Sequence, residues 1–350
     1  MKRRSGPGRE KKIMAFEDRR NRLQYPFVPD NKLFFTLPPG GKILQGRLIL
    51  TGQIVVSGVT TPGVAVGEGG PINLIQRIKI FATAAGGSRY PGGTILDVTP
   101  RSLLRYAITQ HNGKFIGEIN GSTLGAGANG TYSIYLSIPI YFADSTLRNQ
   151  VSSALNADIS DAGGLPIYSS IQVEVDTGDI TSCFFGNNGT VSYSGLTVQW
   201  DDDRLGLDGD TQVIYQEEHT LLIGAAQQRM LDPAMPQSGA FTNWLFMAES
   251  GGSAYTLNDN ILQRITAASS TFNFDEYAYD IKQKMLDDEW FDPSTFGAGC
   301  YFIDWTNGSL NNANPAAGIL AQFQVLNPSG SNLDQLRVFT RRYYSPLAAS

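Results

Sequence analysis

Along most of this chain apolar and polar residues alternate with a period of two, the mark of strands that bury one face. Residues 33–37, 43–57 (ILQGRLILTGQIVVS) and 72–83 (INLIQRIKIFAT) carry the pattern, broken by Pro38-Pro39-Gly40-Gly41 and by the Gly-rich stretch 58–71. It resumes at 115–119, 131–142, 167–175, 180–185 and 191–199, then at 212–223, 243–249, 261–266, 270–274, 299–305, 319–325 and 336–344. Each run predicts a strand. The pattern changes period in three places. Thr99 as N-cap and Pro100 at the first position open a helix over 100–111, with Leu103, Leu104, Ala107 and Ile108 on its apolar face and Asn112-Gly113 as its stop. A helical piece is predicted at 146–155. Another is predicted at 275–289 (DEYAYDIKQKMLDDE), where Tyr277, Ile281 and Met285 stand four apart behind an acidic first turn.

The sharpest break is 200–210, WDDDRLGLDGD, in which five of eleven residues are Asp and two are Gly. So polar a run predicts a solvated connector between two units. The organisation expected is a basic arm (1–30), a first β domain (31–200), an acidic linker (201–210) and a second β domain (211–350). Both halves run helix, strand, small-residue loop and paired strands, as a comparison of 154–175 with 310–325 shows, which points to duplicated architecture.

Composition agrees with an all-β reading. Charged residues are only 17%, while 38 Gly, 18 Phe and 15 Tyr give the turn-rich, aromatic-rich profile of sandwiches. A surface made largely of Asn, Ser, Thr and Gly packs against neighbours at little desolvation cost. No apolar run reaches the roughly 18 residues that a membrane-spanning helix needs, and the basic N-terminus lacks the apolar core of a secretory signal, so a protein made and kept inside a cell is expected. Cys183 and Cys300 are isolated and read as small buried hydrophobes.

Charge is unevenly placed. Residues 1–23 hold Lys2, Arg3, Arg4, Arg9, Lys11, Lys12, Arg19, Arg20 and Arg22 against three acids, a net +6 that leaves −11 on the rest of a chain whose total is −5. An anionic partner, either nucleic acid or a lipid surface, would attract this arm. A short helix over 9–23 would place Ile13, Met14 and Phe16 along one edge, which favours lipid. The competing reading is a clamp on a neighbouring subunit through Phe16, Tyr25 and Phe27.

Candidate chemistry is sparse. Asp201, Asp203, Asp208 and Asp210 offer oxygen ligands to a cation such as calcium, but Leu205 and Gln212 stand where a calcium loop needs an acid or amide and a bidentate Glu. His111 and His219 lack the sequence neighbours of a catalytic or metal site, and no Gly-x-Ser-x-Gly, His-Glu-x-x-His or Cys-x-x-Cys occurs. Gly67-Glu68-Gly69-Gly70 lacks the Lys of a phosphate loop and precedes a strand, and the Asn-Gly steps at Asn120, Asn129, Asn188 and Asn307 read as turns. No cofactor motif is present and no enzyme is expected. The alternative class is a carbohydrate-binding or glycan-cleaving double β-sandwich, with Trp200, Trp244, Trp290 and Trp305 as stacking platforms or two distant carboxylates as catalysts.

Two β-rich halves with long paired strands, a helix inserted in each, the divide near Asp201 and the basic arm at 1–23 together resemble the double jelly-roll major capsid proteins of tailless icosahedral viruses, many of which enclose a membrane. The resemblance spans about 14–344 and rests on plan and composition. It implies two tandem eight-stranded antiparallel jelly-roll sandwiches with short helical insertions. It further implies a homotrimer of pseudo-sixfold outline that tiles a shell beside other capsid proteins such as a vertex protein. The arm would face the interior membrane lipid or genome, in a virion assembled in the host cytoplasm.

Overall fold

The structure, a computed structural model, describes residues 23–60, 64–65, 70–110, 128–143, 154–158, 160, 164–185, 189–205, 213–224, 229–236, 240–250, 256–269, 273–287, 298–305, 319–327 and 334–344. The predicted strand at 115–119, the helical piece at 146–153 and the arm through residue 22 lie outside them.

In the first half the elements are β1 (Leu23–Pro26), β2 (Lys32–Leu37), β3 (Lys42–Ser57), β4 (Val64–Ala65), β5 (Ile75–Ala84), β6 (Gly93–Val98), α1 (Pro100–Gln110), β7 (Gly130–Tyr141), β8 (Leu155–Asn156), β9 (Tyr168–Thr177), β10 (Phe184–Phe185) and β11 (Thr190–Leu205). The second half holds β12 (Val213–Ile223), β13 (Arg229–Asp232), β14 (Ala240–Ser250), β15 (Thr256–Leu257), β16 (Leu262–Ala268), β17 (Asn273–Tyr277), α2 (Ala278–Asp287), β18 (Cys300–Asp304), β19 (Leu320–Val325) and β20 (Asp334–Tyr344).

The sheets repeat. One sheet of the first half is ordered β1-β11-β3-β7, with β8 on β3, and it answers to β12-β20-β14-β18 in the second half. The other is β2-β9-β5-β6, which answers to β13-β19-β16-β17. Within each half every one of these pairings is antiparallel. Eight strands therefore recur in the same chain order and the same sheet positions, and each helix follows the fifth of them. In the first half, Leu48, Leu50 and Ile54 of β3, Val198 and Trp200 of β11 and Ile138 of β7 are buried in one hydrophobic cluster with Phe35, Ile78, Ile80, Val173 and Val175 of the other sheet. Alternation put each of these side chains on its inner face.

The halves are not separated by a linker that begins at Asp201. β11 runs through Leu205, paired with β3 down to Lys42, so five residues of the acidic run complete the first unit. Alternation explains why this is tolerated. Asp201 and Asp203 face outward, while inward-facing Asp202 accepts the Trp200 indole Nε1–H at 3.0 Å and both arms of Arg204 at 2.7 and 3.0 Å. Arg204 in turn donates to the Pro38 and Gly40 carbonyls at 2.6 and 2.8 Å.

Other boundaries differ for local reasons. Residues 71–74 form a 3-10 turn opened by Pro71, and the strand starts at Ile75. Residues 180–183 are likewise a 3-10 turn, leaving Phe184 and Phe185 to pair with Val64 and Ala65. Asp275, Glu276 and Tyr277 belong to β17 and not to the helix, because they pair with β16 and Asp275 grips Arg264 across the ladder. Tyr277 is consequently exposed, whereas Ile281 and Met285 are buried as the helical spacing required. Leu155, placed at the end of a helix by the sequence, pairs with Ile43 in β8. β1, β6 and β13 were not foreseen.

Candidate functional site

The two halves meet where β6 pairs with β12, a parallel contact of Leu96 with Gln216 and Asp97 with Glu217 that fuses their sheets into one of nine strands. Beside it, α1 and the end of β7 lie against the outer face of β14 and β20. The in-plane alternation of β14 sends Trp244 and Phe246 to the second-half core, and Asn243, Leu245, Met247 and Glu249 to the first half. All six are buried, so the strand is covered on both faces.

Polar groups fix the register of this junction. Arg337 of β20 bridges Glu218 and Glu249 at 2.9 and 3.0 Å, and Arg101 of α1 reaches Glu249 at 3.1 Å. Thr99 donates its backbone N–H and its hydroxyl to Glu218 at 2.7 and 2.8 Å, and Arg77 donates to the Glu218 carbonyl at 3.0 Å. Burial works against the charge on Arg337, but the Glu249 and Glu218 carboxylates outweigh it and hold the guanidinium above its ordinary pKa. Farther along, Arg341, with no exposed surface, donates to the Tyr106 hydroxyl at 2.6 Å and to the Phe142 carbonyl at 2.7 Å. Tyr106 also stacks at an angle on Phe339, with centroids 5.4 Å apart. Gln216 donates to the Tyr141 carbonyl at 2.8 Å. Burial pushes Arg105 of α1 down and pushes the neighbouring Cys300 thiol up to about 11; the Cys183 thiol is raised by burial too. Both thiols are buried and unreactive in kind. What this arrangement does is mechanical: it welds two equivalent units at one angle.

The residues singled out from sequence fall elsewhere. Lys2, Arg3, Arg4, Arg9, Lys11, Lys12, Arg19, Arg20 and Arg22 lie outside the described residues, as do Asp208, Asp210, His111 and Trp290. Asp201 accepts from Gln199 at 2.7 Å and Asp203 sits 3.6 Å from Arg47 on the outer face of β11, a strand and not a cation loop. Among the described residues no cluster of three or more His, Cys, Asp or Glu is placed to hold a metal. His219 does have a partner that the sequence did not show, Asp232 at 2.8 Å across β12 and β13. Trp200, Trp244 and Trp305 are buried, the last two edge to face at 4.8 Å, so none forms a glycan platform. The junction itself was missed. Its trace in the sequence is apolar residues at both parities of β14 (NWLFMA) with Glu249 and Arg341 set among buried positions.

The fold is that of viral major capsid proteins. The major capsid protein of Sulfolobus turreted icosahedral virus matches with a TM-score of 0.63 over 94% of this chain and 97% of its own, at 14% identity. The Faustovirus major capsid protein matches at 0.56 over 98% and 92%, with 8% identity, and a chain of the PBCV-1 virus capsid at 0.52 over 95% and 96%, with 10% identity. No family model and no curated protein sequence matches the chain.

Proposed function

We propose that this chain is a structural major capsid protein whose two halves are jelly rolls, which associates as a homotrimer of pseudo-hexameric outline and tiles an icosahedral shell. The observation that carries the reading is the repeated wiring of eight strands and a helix, welded at a fixed angle and shared along almost the full length of viral capsid proteins. Three copies of a chain built from two like units supply six similar flanks. The domain division is residues 23–205 and 211–350 around a short acidic crossing, preceded by an arm that ends at residue 22 and not at 30, because Leu23–Pro26 pair with β11 and Phe27 is buried in the core.

The arm faces inward and meets an extended anion. Its nine basic residues carry the attraction, and Ile13, Met14 and Phe16 favour membrane headgroups over the genome. The role is architectural, not catalytic, and the protein resides in the virion with other shell proteins, a vertex protein among them.

Electron microscopy of the purified full chain tests the reading: particles of six-lobed outline are expected, and monomers of single-chain size would overturn it. Removing residues 1–22 tests the arm. The intact protein should float with anionic liposomes at low salt and the truncated trimer should not. Binding of the intact protein to neither liposomes nor DNA would overturn the anion-binding role; a clamp on a neighbour through Phe27 does not stand, because Phe27 is buried in the chain's own core.

A further inference from the structure

The internal repeat leaves each chain with one used and one unused copy of the same contact. Within the chain, the edge strand β6 and the helix α1 act as a plug, and the outer face of β12, β20 and β14 acts as the socket. The repeat makes β17 and α2 the second plug, and β1, β11 and β3 the second socket.

Burial separates the two pairs. From Arg101 to Ile108 every side chain of α1 is buried, whereas among the described side chains of α2, from Ala278 to Met285, only Ala278, Ile281 and Met285 are. On α2 Tyr279 is 75% exposed, and Tyr277 just before it is 55% exposed, beside a groove of about 650 Å³ that Asp259, Gln263 and Gln283 help to line. The sockets differ in the same way. Asn243, Leu245, Met247, Glu249, Phe339 and Arg341 are all buried on the outer face of the used one. On the other, the facing pairs Thr51 with Thr197, Ile49 with Gln199 and Arg47 with Asp201 are half-buried or exposed, and Tyr135 stands next to Thr51 at 39% exposure. Among the described residues, β17 pairs only with β16 and β1 only with β11, so both equivalents of the β6–β12 seam keep an open edge.

We infer that the α2 and β17 face of one chain docks on the outer face of β1, β11 and β3 of a second copy, repeating between chains the contact that α1 and β6 make within one. This rests on the shell-subunit reading and names the surfaces that build it. The contact is heterologous: each copy offers one plug and receives one, so association is head to tail and ends only when the rotation closes a ring. A strand edge, a tyrosine pair and a flat face of Thr, Gln and Ile fit one another, with charged groups beside them on both surfaces, Asp259, Asp280 and Lys282 at the plug and Arg47 and Asp201 at the socket.

The test uses the full chain and two variants: Tyr279→Asp, which spoils the plug, and Thr51→Arg, which spoils the socket. Both positions are away from the cores, so far-UV circular dichroism and melting of the monomer should match wild type. Each variant alone should associate at least about 30-fold more weakly, the effect of losing one central interface residue. Mixed at equal concentration, they should form a two-chain species and nothing larger, because one sound plug meets one sound socket. Wild-type and variant particles of identical size would overturn the docking assignment while leaving the shell reading intact. Wild-type monomers at micromolar concentration would instead sink the shell reading itself. If either variant fails to fold, Gln199→Arg replaces Thr51→Arg and Gln283→Arg replaces Tyr279→Asp, with the same outcomes decisive.

Discussion

At the scale of single residues, the acidic run shows how a strand absorbs charge. Asp202 is buried with its partners on its own strand, Trp200 two residues before it and Arg204 two after, because alternate residues share a face. Removing the carboxylate in Asp202→Ala leaves a buried guanidinium unpaired and should cost about 3–5 kcal/mol in chemical denaturation. A loss below about 1 kcal/mol would mean that Arg204 is held by the Pro38 and Gly40 carbonyls alone. The indole above them lies on Gly46, where an added methyl would come within 2.4 Å of the ring. Gly46→Ala should therefore destabilise by about 1–3 kcal/mol through overpacking.

Among elements, α2 is pinned through Lys282 by Asp259. Its carboxylate takes hydrogen bonds from Lys282, from the Gly299 N–H at 2.7 Å and from the Tyr301 hydroxyl at 3.3 Å. Burial alone would raise the Asp259 pKa, but these partners outweigh it and set it below the ordinary 3.8. A depressed folded pKa contributes stability above the unfolded value, and that contribution is lost as pH falls through the folded one. Wild type should thus lose more melting temperature than Asp259→Asn between about pH 5 and pH 2, and parallel pH profiles would contradict the anchor.

Much of this level was legible in the sequence. Long strands with one wet face announce themselves, and β3, β7, β12 and β20 came out within a residue or two. What failed was structure decided by distant partners. β6 is six residues after a Gly-Gly step, too short to stand out. Asp275 and Glu276 look like the acidic first turn of a helix, but they pair with β16, and Asp275 binds Arg264, eleven residues back. The arm, where sequence-based chemistry was richest, lies outside the described residues, and the junction left only a faint trace because its ion pairs join residues from 88 to 148 positions apart.

Over the whole molecule, the shared nine-stranded sheet and the Arg101–Glu249–Arg337–Glu218 chain make the halves one cooperative unit. Calorimetry should give a single unfolding transition, and Glu249→Ala, which strips Arg101 and Arg337 of a buried partner, should cost about 3–5 kcal/mol. Two well-separated transitions in the wild type would show that the weld is weaker than its geometry. A rigid pair of like units is what a near-sixfold tile requires, since a flexible pair could not hold three copies in register. The central claim is that such tiles form. Light scattering of the purified full chain at micromolar concentration measures this directly: the account predicts a particle of three chain masses, and a mass of one chain, unchanged on concentration, would contradict it.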